Sequence, residues 1–526
     1  MSFSPDPFQP TTVPEKDAEA PFQQPILEPE AWFLTAEEMR RARGGVDRPD
    51  LALYTTNNRV KLYAASAGYF HDVADDLLTV GPNDLVYMTG WSVCNVPFKP
   101  LEPETALQNL VEGAVTRGAD VRMLIWSNLN ERKQNLQVRD FVNALPAPKE
   151  NGPARFVFDD RLPHVTSSHH QKSVIIRNGQ ALVAYVGGVD LTSNRWDTLE
   201  HDQQELRERV GIERKHRKGW LDAHARLLGP ATKDVAANFL SRWNSQPKPS
   251  QDLSDDLLDF GNPDFSSLPP IDEGKTPLEM PEDGPHAVQI VRTFSPDSEL
   301  YTSIAPQGEQ SIFYSHIKAI RIARNYVFIQ DQYFILVPEL LEALLEILPN
   351  ITRLVVIVQR TVEASYTGYA KYLYDMVWPL QLQFPDKFKL YTTKESKGLY
   401  IHSKLIIVDD VYVSLGSANW NRRSMTSDTE LDANIVDTEL EQCPDRITVN
   451  KLARGFRLQK FVEATKRPYE ELETMTFLEA CEALEAAAHD DGHSLIEAYS
   501  VRDKASFDLE HFQRQLVDPE DTLGRQ

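Results

Sequence analysis

The apolar positions of this chain fall into short runs separated by longer amphipathic stretches. Leu85–Thr89, Val121–Trp126 and Arg155–Phe158 are runs of strand length, bounded by turn residues. A helix-like segment covers Leu62–Leu78, and a further helix follows the Gly-Trp-Ser turn at Gly90–Ser92. The same order returns later. A helix is predicted over Ile312–Arg324, then a strand over Tyr326–Gln330 that runs into Asp-Gln-Tyr-Phe. A helix from Pro338 and strands at Leu354–Val358 and Lys387–Tyr391 complete the series. Alternating strands and helices predict an α/β fold with a mixed, largely parallel sheet in each half. Val121 and Leu354 lie 233 residues apart, and the matching histidines described below lie 232 apart. So constant an offset indicates an internal duplication, with two α/β halves packed around one shared site.

Composition sets the boundaries. Residues 1–50 form an N-terminal arm, Pro- and acid-rich over about its first thirty residues and in part disordered. Residues 51–243 are the first repeat and 286–442 the second. Between them, 244–285 is rich in Pro, Asp and Ser and is expected to be a linker or long loop. From 443 to 526 the chain is acidic and helical, through Leu452–Thr465 and Phe477–Ala488, and shows no chemistry of its own.

Bulk charge narrows the partners. Among 526 residues, 55 Lys and Arg stand against 78 Asp and Glu, a net charge of −23. Such a chain is soluble and repelled by polyanions, so no nucleic-acid partner is expected, although a local basic pocket is compatible with it. Cys94, Cys443 and Cys481 supply neither a disulfide framework nor zinc-ligand spacing. The first residues lack a basic start and an apolar run, and no apolar stretch reaches membrane-spanning length. The expectation is a monomer that is cytoplasmic, or exported without a cleavable signal peptide.

Two motifs carry the chemistry. One reads His-His-Gln-Lys, with His170 and Lys172, and is followed by Gly187-Gly188-Val189-Asp190. The other reads His-Ser-Lys-Leu-Ile-Ile-Val-Asp, with His402, Lys404 and Asp409, and is followed by Gly416-Ser417-Ala418-Asn419. Residues two apart on a strand share a face, so the spacing selects His170 rather than His169 as the partner of Lys172. A lysine beside a buried apolar strand either snorkels to solvent or meets an anion. Its recurrence at matching places in both repeats favours the anion. Two imidazoles and two ammoniums around one space suit an anion with a leaving group, above all a phosphodiester. Zinc is disfavoured, because lysines at those places repel a cation. Asn419 can donate an amide N–H to a phosphoryl oxygen, whereas ionised Asp190 cannot and is assigned to orienting a lysine or histidine. Each imidazole needs an acid on its far nitrogen. Glu430 is the candidate beside His402, with Asp428 in reserve, and Asp197 the candidate beside His170, with Asp202 in reserve. His164, His201 and His224 are expected to be ordinary structural histidines. Trp91, Tyr333, Phe334 and Trp420 sit in the strand-end loops. Such aromatics are commonly core, and the sharper expectation is that Trp91, Tyr333 or Trp420 meets a choline head group by cation–π contact.

These motifs resemble those of the phospholipase D superfamily, His-x-Lys-x4-Asp twice per chain with a small-residue turn after each. The second copy matches fully. The first departs from the pattern at Arg177, where the family has Asp. Gly187-Gly188-Val189-Asp190-Leu191, Arg195-Trp196-Asp197-Thr198, Gly229-Pro230-Ala231 with Arg242-Trp243, Gln330–Phe334 and Arg422-Arg423-Ser424 look like the phosphatidylcholine-type enzymes of plants and bacteria. The resemblance implies phosphodiester hydrolysis and head-group exchange through a phosphohistidine on His170, with His402 as acid. Lys172, Lys404 and Asn419 would hold the phosphoryl oxygens. It implies no required cofactor, with calcium stimulation open, and a phospholipid substrate met at a membrane or micelle surface. The competing functions are cardiolipin synthase-like phosphatidyl transfer, a secreted antibacterial phospholipase, a nucleic-acid phosphodiesterase, and a binding module with a dead site.

Overall fold

A computed structural model describes residues 22–128, 131–146, 155–163, 166–209, 219–246, 283–296, 304–360, 367–490 and 492–501. It also describes Lys248, Pro249, Leu268, Tyr301, Arg514, Val517 and Asp518. Most of the expected linker, the first 21 residues, His164 and most of the chain after Val501 lie outside the described residues.

The apolar runs become strands because each is buried on both faces. Leu85–Gly90 and Tyr326–Asp331 are buried at every position. In the first half the order from the outer edge inward is Phe156–Asp159, Asp120–Trp126, Leu85–Gly90, Ser173–Asn178, Ala181–Gly187, His224–Leu228, Thr55–Tyr63. The second half repeats it with Phe388–Thr393, Arg353–Val358, Tyr326–Asp331, Lys404–Val408, Tyr412–Gly416, Glu430–Asp437 and His286–Phe294. The duplication is therefore real in three dimensions.

Three expectations are corrected. The halves do not hold separate sheets, because Thr55–Tyr63 pairs with His286–Phe294 and joins them into one continuous sheet. Nor is that sheet largely parallel. Only the outer three strands of each half run parallel; the inner ladders are antiparallel. The reason is local: hairpins such as Ser173–Asn178 with Ala181–Gly187 need no helical crossover. The segment expected to be helical from Leu62 starts later, since Thr55–Tyr63 is a strand and the helix is Ser66–Thr79.

Side chains alternate between two apolar layers. On one face Leu85, Tyr87 and Ile175 join Leu405, Ile407 and Leu431 in a core shared by both halves. Helices Ala231–Asn244, Lys451–Thr465 and Phe477–Ala488 cover it. On the other face the halves keep separate layers, one around Val86, Met88 and Val174 and one around Val327, Ile329 and Val356. Each such buried aliphatic side chain contributes about 1.5–3 kcal/mol. The helical C-terminal segment is present as expected, but it also returns a strand, Ile496–Ala498, to the sheet edge.

Candidate active site

Each histidine lies just before the central strand of its own half, and the approximate two-fold relation of the halves brings the two rings together edge-on. Their ring centroids are 6.5 Å apart. Two symmetric backbone bonds pin them. His170 N–H donates to the carbonyl of Thr429 at 2.9 Å, and His402 N–H donates to that of Leu221 at 2.8 Å. Each acceptor immediately precedes an acid, and each acid belongs to the other half.

The acid partners are thus crossed. His170 Nδ1 lies 3.1 Å from both oxygens of Glu430 and 2.9 Å from the carbonyl oxygen of Ser417. His402 Nδ1 lies 2.8 Å from Asp222 Oδ2. The expected pairing of Glu430 with His402 is corrected: Glu430 holds His170. Asp197 does not reach His170 either. It bonds His201 Nδ1 at 2.7 Å and the Trp220 N–H at 2.8 Å, fixing a loop. Asp202 bonds its neighbour Gln203, and Asp428 accepts the Ser168 N–H at 2.7 Å.

Asp222 was not singled out from the sequence, yet it is the repeat partner of Glu430. In the sheet Gly187 pairs with His224 and Gly416 with Asp432, and each acid lies two residues earlier. Asp222 follows Gly187 by 35 residues, Glu430 follows Gly416 by 14, and this longer first-half loop hides the match. A Cβ at Gly188 would lie 2.1 Å from Asp222 Oδ1, so the glycine turn makes room for that acid. At the matching place Ser417 instead donates its hydroxyl to Glu430 at 2.5 Å, and Ser424 adds a second at 2.6 Å. Asn421 caps the short helix Arg422–Thr426 through the Ser424 N–H and so places that serine.

The lysines flank the pair. Lys172 Nζ donates to the His170 carbonyl at 2.7 Å and lies 3.4 Å from Asp190 Oδ2. Asp190 therefore orients a lysine, as expected. Lys404 Nζ donates to the His402 carbonyl and, at 3.2 Å, to Gln332 Oε1. Burial, reinforced by both lysines, holds both imidazoles well below their usual range. Burial pushes the Glu430 carboxyl up to about 7 and Asp222 up to about 6, and it pulls the Lys404 ammonium down to about 8. Asn419 is buried in the second turn, and its Oδ1 has no hydrogen-bond partner among the described residues.

Two further expectations change, for Asp409 and for Trp420. Asp409 is no site residue: its carboxylate accepts the N–H groups of Arg324, Asn325 and Tyr326 at 2.7–2.8 Å. Strand Lys404–Val408 separates it from Lys404, by about 16 Å at ~3.3 Å per residue. In the first half Asp84 accepts the N–H groups of Gly81 and Gly179 instead, so Arg177 costs the site nothing. Trp420 and Phe334 are core residues packed on each other at 5.1 Å. Trp91 and Tyr333 remain half-buried, beside Trp126 and stacked on Tyr369 respectively.

A family model described as Phospholipase D matches residues 80–340, and one described as Cardiolipin synthase, PLD-like domain, matches 316–447. The chain belongs to the phospholipase D superfamily. Among curated phospholipases D, the chain is 25% identical to phospholipase D beta 1 of Arabidopsis thaliana, covering 69% of this chain and 45% of that one. It is 24% identical to phospholipase D alpha 1 of Oryza sativa subsp. japonica, over 72% of this chain and 61% of that one. The chain thus spans about half to three-fifths of the length of these relatives. A solved phosphatidylserine synthase of Haemophilus influenzae is 13% identical, with a TM-score of 0.49, over 72% of this chain and 82% of its own. Within the phospholipase D frame, the matched regions contain both His/Lys pairs and the crossed acids.

Proposed function

We propose that the protein is a phospholipase D that cleaves the head-group phosphodiester of phospholipids, phosphatidylcholine foremost, and transfers the phosphatidyl group to water or an alcohol. The observation that carries this reading is the facing pair of histidines, each held by a carboxylate of the opposite half. A carbonyl oxygen only accepts, so the Ser417 contact fixes the proton on His170 Nδ1 and leaves an Nε2 lone pair. That nitrogen attacks phosphorus and forms the P–N bond. The bond from phosphorus to the head-group oxygen breaks as His402 gives that oxygen a proton. Water or an added alcohol then loses its proton to His402 and displaces His170, releasing phosphatidic acid or a phosphatidyl alcohol. Lys172, Lys404 and the Asn419 amide N–H hold the charge on the phosphoryl oxygens. The chemistry requires no cofactor, and the enzyme works as a monomer at a membrane or micelle surface. The half-buried Trp91 and Tyr333 are the remaining candidates for a choline contact.

Phosphatidyl transfer to a lipid alcohol is the second reading, favoured by the cardiolipin synthase match over 316–447. Purified protein with phosphatidylcholine and ethanol should yield phosphatidic acid and phosphatidylethanol, and both should vanish in His170→Ala and His402→Ala. Cardiolipin formed from phosphatidylglycerol, with no choline released, would replace the first reading by the second. No product from any phospholipid would refute both.

A further inference from the structure

The duplication places one carboxylate beside each motif lysine, and it does so from opposite positions. In the first half the strand end is Gly90 and the turn carries Asp190. In the second half the strand end is Asp331 and the turn carries Asn419. These places are equivalent by register: Thr89 pairs with Ser173, next to Lys172, and Gln330 pairs with Leu405, next to Lys404. Asp190 reaches from turn to strand end, where its Oδ1 accepts the N–H groups of Trp91 at 2.9 Å and Ser92 at 3.4 Å. Asp331 reaches the other way. Its Oδ2 accepts the Trp420 N–H at 3.1 Å and its Oδ1 the Tyr333 N–H at 2.8 Å. It is buried and pairs directly with Lys404 in the ladder. A Cβ at Gly90 would come within 3.6 Å of Asp190 Oδ1, so the two carboxylate positions converge on one space, filled once in each half.

We propose that Asp331 is the positioning residue of Lys404, doing from the strand end what Asp190 does for Lys172 from the turn, and that either position serves. The carboxylate ties two loops through N–H groups that burial would otherwise leave unpaired. It also favours the charged form of an ammonium that burial penalises. Lys404 donates directly to Gln332, so Asp331 acts by its charge and by fixing the loop that carries Gln332. Burial is the main influence lowering the Lys404 ammonium, and Asp222 and Asp331 oppose it.

The inference rests on the proposed function only in assigning the lysines to phosphoryl oxygens, and its test needs no lipid turnover. Tungstate is a tetrahedral dianion across neutral and alkaline pH, and its binding to the whole protein is measured by calorimetry as pH is raised. Asp331→Asn should move the alkaline limb down by about one pH unit, hence weaken binding about tenfold on that side. Asp190→Asn should do the same through Lys172, and adding Gly90→Asp to it should restore the limb. The inference is overturned by a limb that folded D331N leaves in place, or by a folded D190N/G90D protein no better than D190N. Should D331N fail to fold, the D190N pair decides. Tungstate binding without phospholipid turnover would defeat the lipid reading alone, whereas no tungstate binding by the natural protein would overturn both.

Discussion

At the residue scale the site is a pair of imidazole–carboxylate dyads that differ in how their acids are held. Glu430 carries two serine hydroxyls and shares the Nδ1 proton of His170 with a carbonyl. Asp222 carries one backbone N–H, from Ala223 at 2.8 Å, and faces His402 directly. The first arrangement favours a fixed lone pair, the second a base that gains and loses a proton. Glu430→Gln and Asp222→Asn should each fold and lower turnover roughly 10²–10⁴-fold, but at different steps. With a p-nitrophenyl phosphodiester, whose leaving group needs no proton, D222N should accumulate a covalent adduct on His170, detectable by mass spectrometry after quenching. E430Q should form none. An adduct on His402 would reverse the roles.

At the element scale, helix Lys451–Thr465 shows why the C-terminal segment belongs to the enzyme. Lys460, wholly buried, donates to the carbonyls of Ala64 at 2.9 Å and Asp222 at 3.4 Å and pairs with Glu463 at 2.6 Å. Glu463 also meets His201, the histidine that Asp197 holds. The helix thus braces the backbone of the acid behind His402. Removing Lys460 leaves the buried Glu463 carboxylate with His201 alone, so Lys460→Met should cost about 3 kcal/mol in denaturant unfolding. Adding Glu463→Gln should recover part of that loss. A second substitution that deepens the loss would show that the pair is not the source of the effect.

At the scale of the whole molecule, one sheet through both halves puts two lysines and two histidines around a single space. Burial and the lysines keep both imidazoles neutral at pH 7. An incoming oxyanion offsets those ammonium charges and raises imidazole basicity, so binding should draw in a proton. Calorimetry of tungstate binding in buffers of different ionisation enthalpy should report an uptake of about one proton at pH 7. His402→Gln should abolish it. Heats independent of buffer would mean that the free site already holds its proton, and the alkaline limb of turnover would then lie above pH 7.

What the sequence by itself determined is what rests on short-range geometry. Apolar runs of strand length are buried wherever they pack, so the strands at Leu85, Tyr326 and Arg353 were legible to within a residue or two. The two-residue spacing of His170 with Lys172 and of His402 with Lys404, repeated at a constant offset, was enough to mark the two pairs that the fold brings together at one site. The tertiary structure decided everything that depends on chain segments meeting across the halves. Which acid serves which histidine is set by the crossed bonds from His170 to Thr429 and from His402 to Leu221, some 260 and 180 residues apart. The longer first-half loop concealed Asp222, and two of the acids that the motifs offered, Asp197 and Asp409, hold loops instead. Trp420 was open to a pocket reading beside the commoner core one, because burial is a property of neighbours and not of residue type. The joining of two sheets into one through Thr55–Tyr63 and His286–Phe294 likewise has no local signal, since edge strands of either half present the same unpaired backbone until the other half covers it.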